Sequence, residues 1–273
     1  MSVYSALQDM FAPERGTLHA SPDPNAQIID GRTSAFLVGI VAFAMPIALG
    51  VSTLFGVCFY NTLSHFYYAP FAGGIFIGCL FFIGTFLIAY KGESTAEGIF
   101  AGAAGLCAFA TALFPTSGSG CECEVFPGRP FTEIYQTQSS LSLRPPGGTA
   151  ESYFAFTPWA NTVHLGAAGT LFVFLAFYCF VIFPRVKADQ LIPDTDQLTP
   201  VKKRRNRLYF ASGLVISGCM LAILVRVTFK DAFPFWDTLN LTFWCESLAL
   251  FAFGFSWMVK GRFFGYALKD ESE

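Results

Sequence analysis

Six stretches of mostly apolar residues, separated by polar segments, divide the chain between residues 35 and 259. A helix needs about 20 such residues to cross the hydrocarbon core of a bilayer, because it rises about 1.5 Å per residue. The third stretch is the shortest and begins at an acidic residue, so Glu97 is expected at the membrane boundary. The pattern predicts transmembrane helices over Ala35–Phe59, Pro70–Tyr90, Glu97–Phe114, Thr157–Phe183, Leu208–Val227 and Asp237–Val259.

The composition agrees with a membrane as the solvent. Hydrophobic residues make up 53% of the chain, charged residues only 13%, and the mean hydropathy is +0.50. So few charged groups cannot cover the surface of a water-soluble domain, and no basic surface for nucleic acid is evident. We therefore predict an all-α fold, a polytopic transmembrane bundle of about six helices. Its expected partners are membrane lipids and other membrane subunits, with no nucleic acid.

The polar segments define the predicted domain organisation. Residues 1–33 form a polar cytoplasmic N-terminal tail that lacks the features of a cleavable signal peptide. Residues 34–260 form the six-helix transmembrane domain. Within it, residues 115–156 make an external loop rich in Gly, Ser and Pro, and residues 184–207 make a basic cytoplasmic loop. Residues 261–273 form a second cytoplasmic tail.

The basic residues predict the orientation of the bundle, because Lys and Arg are retained on the cytoplasmic side during insertion. With the N-terminus inside, the external segments contain only Arg129, Arg144 and Lys230. The internal segments contain Arg15, Arg32, Lys91, Arg185, Lys187, Lys202, Lys203, Arg204, Arg205, Arg207, Lys260, Arg262 and Lys269. The sequence therefore predicts a multi-pass protein of the cell inner membrane with both termini in the cytoplasm. The cluster from Lys202 to Arg207 is also a candidate for contact with anionic lipid headgroups.

Two pairs of glycines predict close helix packing. Gly74 and Gly78 in the second span, and Gly98 and Gly102 in the third, have the spacing of small residues that lets membrane helices approach each other.

The cysteines divide into two groups. Cys121 and Cys123 lie in the predicted external loop, where an oxidising compartment would allow a disulfide bond. A bond between these two residues would be strained. We expect the other six cysteines to lie in the spans and to pack as small apolar groups.

Few ionisable groups lie within the predicted spans, and each is a candidate for function because burial in a membrane is costly. Counted along the helices, His164 and Glu246 lie about 10 and 13 Å below the outer boundary. The candidate ligand-binding or polar-network residues all lie in the outer half of the bundle. They are Ser64, His65, Tyr67, Tyr68, His164, Arg226, Asp237, Asn240 and Glu246.

Three interpretations of these residues remain open. In a structural network, Arg226 pairs with Glu246, and His164 binds a hydroxyl group or a backbone carbonyl. In a catalytic metal site, His65, His164 and Glu246 hold zinc, and a metal-bound water is the nucleophile. In a transporter or receptor, His164 and Glu246 carry protons or bind a small solute.

Residues 63–70, 76–92, 112–116 and 253–261 resemble the signature segments of an uncharacterised family of bacterial multi-pass membrane proteins. A Ser-x-x-Tyr-Tyr motif, here Ser64 to Tyr68, precedes the second span in that family. The resemblance implies a multi-pass architecture and a bacterial inner-membrane location, without an activity. The family has an Arg-Asp pair at the start of the second span, whereas this chain has Gly73 and Gly74 there.

More remotely, Ser64 and His65 are similar to part of a superfamily of membrane hydrolases that includes alkaline ceramidases and adiponectin-type receptors. Those proteins bind zinc through a Ser, an Asp and three His, and only Ser64 and His65 have counterparts here. The leading prediction is a protein that binds a small or lipid-like ligand from the outer side, or that serves as a subunit of a membrane complex. A metal-dependent membrane hydrolase and a small-solute or proton-coupled transporter are the alternatives, and enzymatic activity is left open.

Overall fold

The computed structural model describes residues 31–69, 71–90, 94–114, 116, 135–136, 141–142, 159–186, 190–192 and 197–261. Its α-helices are α1 (Gly31–Ser52), α2 (Ala72–Ala89), α3 (Thr95–Leu113), α4 (Ala160–Phe177), α5 (Pro200–Thr228), α6 (Phe235–Thr238) and α7 (Leu241–Lys260). All but the one-turn helix α6 belong to segments long and apolar enough to cross a membrane. The predicted all-α bundle with six membrane-length helices is confirmed.

Shorter elements extend or join these helices. A 3₁₀ turn, Thr53–Phe55, follows α1, and a π-helix, Tyr178–Ile182, continues α4. A second 3₁₀ turn, Ser64–Tyr68, connects α1 to α2, and a third, Lys230–Ala232, precedes α6.

The six long helices form a closed ring in chain order. Each packs against the next, and α7 packs against both α5 and α1, which closes the ring. Apolar side chains such as Met45, Leu49, Leu80, Phe253 and Trp257 are buried inside it. Large apolar side chains on the outer surface, among them Leu165, Val173 and Leu221, are exposed, as expected for surfaces that face lipid.

The two ends of the ring carry different polar residues. The His164 end comprises the Ser64–Tyr68 turn, helix α6 and the N-termini of α4 and α7. The Glu97 end comprises the N-termini of α3 and α5 with the π-helix.

Two glycine pairs set the closest helix contacts, and they are not the predicted ones. A Cβ atom on Gly254 would lie 2.6 Å from the Gly39 carbonyl oxygen, so α1 and α7 touch through their backbones. A Cβ atom on Gly105 would likewise lie 2.6 Å from the Gly84 oxygen, which brings α2 against α3. By contrast, a Cβ on any of Gly74, Gly78, Gly98 and Gly102 would meet no atom within 4 Å. The prediction of close packing at these four positions was wrong, because the small-residue spacing does not reveal which helix face meets a neighbour.

Several helix boundaries also differ from the prediction. Helix α5 begins at Pro200, because Thr199 caps it by accepting the Lys202 amide at 3.3 Å and Pro200 fits the first helical position. The residues from Lys202 to Arg207 are therefore helical rather than part of a loop. Asp237 lies in α6, outside the last long helix.

The predicted connections and tails lie largely outside the described residues. Within the predicted external loop the structure describes a hairpin of two short antiparallel strands, β1 (Tyr135–Gln136) and β2 (Leu141–Ser142). The tails, and the division into domains, stay predictions.

Cys58 differs from the prediction that it packs as a small apolar group within the first span. Cys58 lies after the end of α1 and is disulfide-bonded. Among the described residues, the free cysteines are Cys79, Cys107, Cys179, Cys219 and Cys245. Cys121 and Cys123 lie outside the described residues.

Candidate polar site at the His164 end

The Ser64–Tyr68 turn is anchored by its two tyrosines. Both rings are buried, and the Tyr68 hydroxyl donates to the Thr116 carbonyl at 2.5 Å. The Tyr67 hydroxyl donates more weakly to the Leu113 carbonyl at 3.4 Å. Burial first, and the neighbouring Tyr67 second, raise the pKa of the Tyr68 phenol, which therefore stays a protonated donor at neutral pH. The turn is thus fixed to the chain that follows α3.

His164 connects this turn to α4. Its side chain is fully buried, with Nδ1 2.7 Å from the Phe114 carbonyl oxygen and Nε2 2.8 Å from Ser64 Oγ. A carbonyl only accepts, so Nδ1 carries the proton and donates to it. In the neutral ring Nε2 then accepts the Ser64 hydroxyl proton. The predicted partner types of His164, a hydroxyl and a backbone carbonyl, are confirmed.

Glu246 approaches the same turn from α7. Its Oε2 accepts the Leu63 amide at 2.7 Å, and the Phe243 amide donates to the Asn61 carbonyl at 2.8 Å. These two bonds fasten the start of α7 to the residues before Ser64.

The predicted ion pair between Arg226 and Glu246 was wrong. Arg226 Nη2 lies 2.8 Å from Asp237 Oδ2, and the Asp237 side chain is 60% exposed. The two helices that carry Arg226 and Glu246 are neighbours, but Glu246 points towards the turn. Arg226 instead reaches the short helix α6, which follows it in the chain.

His65 and Asn240 make separate, local contacts. His65 Nδ1 lies 2.7 Å from Asn61 Oδ1, and the His65 amide donates to Thr62 Oγ1. Asn240 has a left-handed backbone with φ of 50°, which joins α6 to α7, and its side chain does not cap α7. Within the part of the chain that the structure describes, no group of three His, Cys, Asp or Glu side chains is placed to hold a metal ion. His65, His164 and Glu246 therefore do not form a three-ligand zinc site in this structure.

A small cavity lies beneath the turn in the interior of the ring. Its volume is about 40 Å³, and Ser64 and Glu246 line it together with apolar side chains that include Met45, Leu80 and Leu171. By the same measure, one water needs about 10 to 15 Å³, so the cavity has room for roughly three waters. Two of the predicted candidates, Ser64 and Glu246, therefore line the same cavity, and His164 adjoins it through Ser64.

The Glu97 end holds a second buried network, which the sequence analysis missed. Glu97 is fully buried, and its carboxylate pairs with the Arg185 guanidinium and accepts the Tyr90 hydroxyl at 2.9 Å. The Tyr178 hydroxyl donates to the Glu97 carbonyl at 3.1 Å. Lys202, also buried, donates to the Arg185 carbonyl at 2.6 Å. One network thus connects α2, α3, the end of α4 and the start of α5.

A tightly packed aromatic cluster surrounds Trp257 beside this network. The Trp257 side chain is 1% exposed, so water does not separate these rings. Its ring centroid lies 5.3 to 6.3 Å from those of Phe86, Tyr90, Tyr178, Phe183 and Phe253.

One signal in the sequence pointed to part of the Glu97 network. Ser94 and Glu97 form the Ser-x-x-Glu pattern of a capping box, and Ser94 Oγ accepts the Glu97 amide at 3.2 Å. The pattern places Glu97 in the first turn of α3. The pairing with Arg185, which is 88 residues away, has no counterpart in any local pattern.

Comparisons with protein-family models, with curated proteins and with solved structures found no match. The resemblance to a family with a Ser-x-x-Tyr-Tyr motif accordingly stays a prediction. The structure supports a multi-pass membrane protein on the six apolar helices alone.

Proposed function

We propose that this membrane protein binds a small amphiphilic ligand at the His164 end. The observation that carries the proposal is the cavity in which Ser64 and Glu246 are set among apolar side chains. Small-molecule sites have this composition, in which a few polar groups orient a ligand that apolar walls enclose.

The size and chemistry of the cavity define the ligand class. An engineered cavity of about 150 Å³ accepts benzene, so a cavity of about 40 Å³ accepts only one end of a ligand. A carboxyl group and a hydroxyl group both accept hydrogen bonds, which favours an alcohol or a primary amine over a carboxylate. The ligand is therefore an alkyl alcohol or amine whose polar end reaches Ser64 and Glu246.

Saturation-transfer NMR on the purified full-length protein tests this proposal with hexylamine, 1-hexanol and hexanoate as probes. We expect binding in the order hexylamine, hexanol, hexanoate, because hexanoate brings a second carboxylate towards Glu246. Ala168 lines the cavity, so Ala168→Leu should abolish the signal, whereas Ala167→Leu on the same helix should retain it. Equal binding of all three probes, or no difference between the two variants, would contradict the proposal.

The contact between Ser64 and His164 favours a second function, covalent acyl hydrolysis. A serine hydroxyl 2.8 Å from an imidazole nitrogen, with the other nitrogen held by a carbonyl, is the arrangement of a nucleophile, its base and an orienting group. Ser64 Oγ would attack an ester carbonyl as its proton passes to His164 Nε2. That proton would then pass to the leaving alcohol, and water would hydrolyse the acyl-serine.

An alkyl fluorophosphonate distinguishes the two functions, because it phosphonylates an activated serine with loss of fluoride. Peptide mass spectrometry should place the adduct on Ser64, and His164→Gln should suppress it while Ser64→Ala removes it. Ser256, a buried hydroxyl on α7 that donates to backbone carbonyls, serves as the internal control. An unmodified Ser64 would refute the hydrolase and leave ligand binding as the function.

We also propose that the His164 end faces away from the cytoplasm of a bacterial inner membrane. The distribution of Lys and Arg supports this orientation. The disulfide bond of Cys58, at the same end, is expected in an oxidising compartment. A membrane-impermeant maleimide applied to intact cells after mild reduction should label Cys58, whereas labelling only after cell lysis would reverse the assignment.

A further inference from the structure

A groove lies on the outer surface at the Glu97 end, between the end of α4 and the start of α5. Its volume is about 410 Å³, ten times that of the cavity beneath Ser64 and within the range of about 300 to 1,000 Å³ typical of ligand sites. Phe180, Phe210 and Leu214 form its apolar part, and Arg207 and Asn206 form its polar part. The groove thus has a polar part and an apolar part side by side.

The apolar part of the groove depends on a glycine. The Phe180 ring is seated directly over Gly213, where a Cβ atom would lie 2.7 Å from two ring atoms. The Phe180 ring meets Phe210 edge-on, with the centroids 5.2 Å apart. Phe210 and Leu214 are each 55% exposed, so this wall is open to lipid along the side of the bundle.

The polar part of the groove is basic. Arg207 is exposed, and Lys203 and Arg204 are exposed one turn earlier on the same side of α5. The Asn206 side-chain amide donates to the Pro184 carbonyl at 3.3 Å, which joins α5 to the residues that follow the π-helix. An anion beside Arg207 would therefore lie near three exposed cations and next to the apolar wall.

We propose that this groove binds one anionic phospholipid. The phosphate is held by Arg207 with help from Lys203 and Arg204, and an acyl chain lies along Phe180, Phe210 and Leu214. Charge complementarity selects an anionic headgroup, and the apolar wall selects a lipid over a free phosphate. The site is separate from the cavity at the His164 end, and the proposal holds whichever function that cavity serves.

Native mass spectrometry of the full-length protein in a neutral detergent tests the proposal. The probes are phosphatidylglycerol and phosphatidylcholine with identical acyl chains, together with glycerol 3-phosphate, which has no chains. We expect one bound phosphatidylglycerol per protein and weaker binding of the other two. Loss of Arg207 should weaken phosphatidylglycerol binding by about fivefold, the effect of one basic residue near a headgroup.

The variants distinguish a site from general charge attraction. Arg207→Gln should weaken phosphatidylglycerol binding, whereas Lys230→Gln, which removes another exposed cation just beyond the far end of α5, should not. Leu214→Glu should weaken binding by placing a negative charge in the groove, without disturbing the buried core. Equal effects of Arg207→Gln and Lys230→Gln would overturn the proposal. So would equal binding of the two lipids, or full competition by glycerol 3-phosphate, which would indicate a site for free phosphate.

Discussion

The two ends of the bundle stabilise their buried ionisable side chains in different ways. Each buries ionisable side chains among apolar helices, which is costly unless every group finds a partner. At the Glu97 end, Glu97 pairs with Arg185 and accepts the Tyr90 hydroxyl, and the aromatic cluster around Trp257 packs beside them. The close contact between Gly39 and Gly254 lies towards the same end. At the His164 end the bonds of His164 and Glu246 involve a hydroxyl and backbone groups, and a cavity remains beside them. We infer that the Glu97 end contributes more to the stability of the bundle, while the His164 end keeps a cavity beside its polar groups.

The largest loss of stability is expected when one charge is removed from the Glu97 end. Glu97→Gln should lower the free energy of unfolding by about 3 to 5 kcal/mol, because the Arg185 side chain, which is only 10% exposed, then loses the Glu97 carboxylate. Unfolding in mixed micelles with increasing dodecyl sulfate measures the loss. The double variant Glu97→Gln with Arg185→Met should recover much of it. A loss below about 1 kcal/mol would show that the pair is solvated rather than structural.

The next largest effect is expected where α1 meets α7. Gly254→Ala places a Cβ atom against the Gly39 carbonyl, and the resulting helix displacement should cost about 1 to 3 kcal/mol. Gly102→Ala is the matched control, since nothing lies within 4 Å of its Cβ position. That control should be neutral or slightly stabilising, because Ala favours a helix more than Gly does. Similar losses for both variants would contradict the assigned contact.

At the His164 end, the same measurement should give a smaller loss. His164→Leu removes the hydrogen bonds that His164 makes with the Phe114 carbonyl and the Ser64 hydroxyl, which we expect to cost about 1 to 2 kcal/mol. Water in the adjoining cavity can replace one of the lost bonds, and this limits the cost. If His164→Leu destabilised the protein as much as Glu97→Gln, both ends would be equally structural and the proposed division would fail.

The smallest effect is expected at the tyrosines of the Ser64–Tyr68 turn. Tyr68→Phe removes the bond to the Thr116 carbonyl and should cost about 1 kcal/mol, and Tyr67→Phe should cost less because its bond is longer. Because the pKa of Tyr68 is raised in the folded protein, its contribution should stay constant below about pH 10 and fall at higher pH. Unfolding measured from pH 7 to 11 tests the sign, and a contribution that grew with pH would contradict it.

The sequence predicted the fold more completely than it predicted the contacts within the site. Apolar length alone identified the six membrane helices, because hydropathy does not depend on which helix lies beside which. It missed the first two turns of α5, where Lys202 to Arg207 lower the hydropathy although Thr199 and Pro200 mark a helix start. Position along a helix gives depth but not the direction in which a side chain points. For that reason the predicted depths of His164 and Glu246 agree with their contacts at the Ser64–Tyr68 turn, while Arg226 was assigned the wrong acidic partner.

The closed ring has a consequence for how the protein is made. Five of the six contacts that make up the ring join long helices that follow each other in the chain, so they can form as each helix leaves the ribosome and enters the membrane. The sixth, between α7 and α1, joins the two ends of the bundle. Until α7 is inserted, the surfaces of α1 and α5 that it covers face lipid. The hydrogen bond from the Leu63 amide to Glu246 has also not formed. A nascent chain that stalls after α5 is therefore an open bundle that lacks the α7 wall of the cavity beneath Ser64, which Glu246 and Leu250 supply.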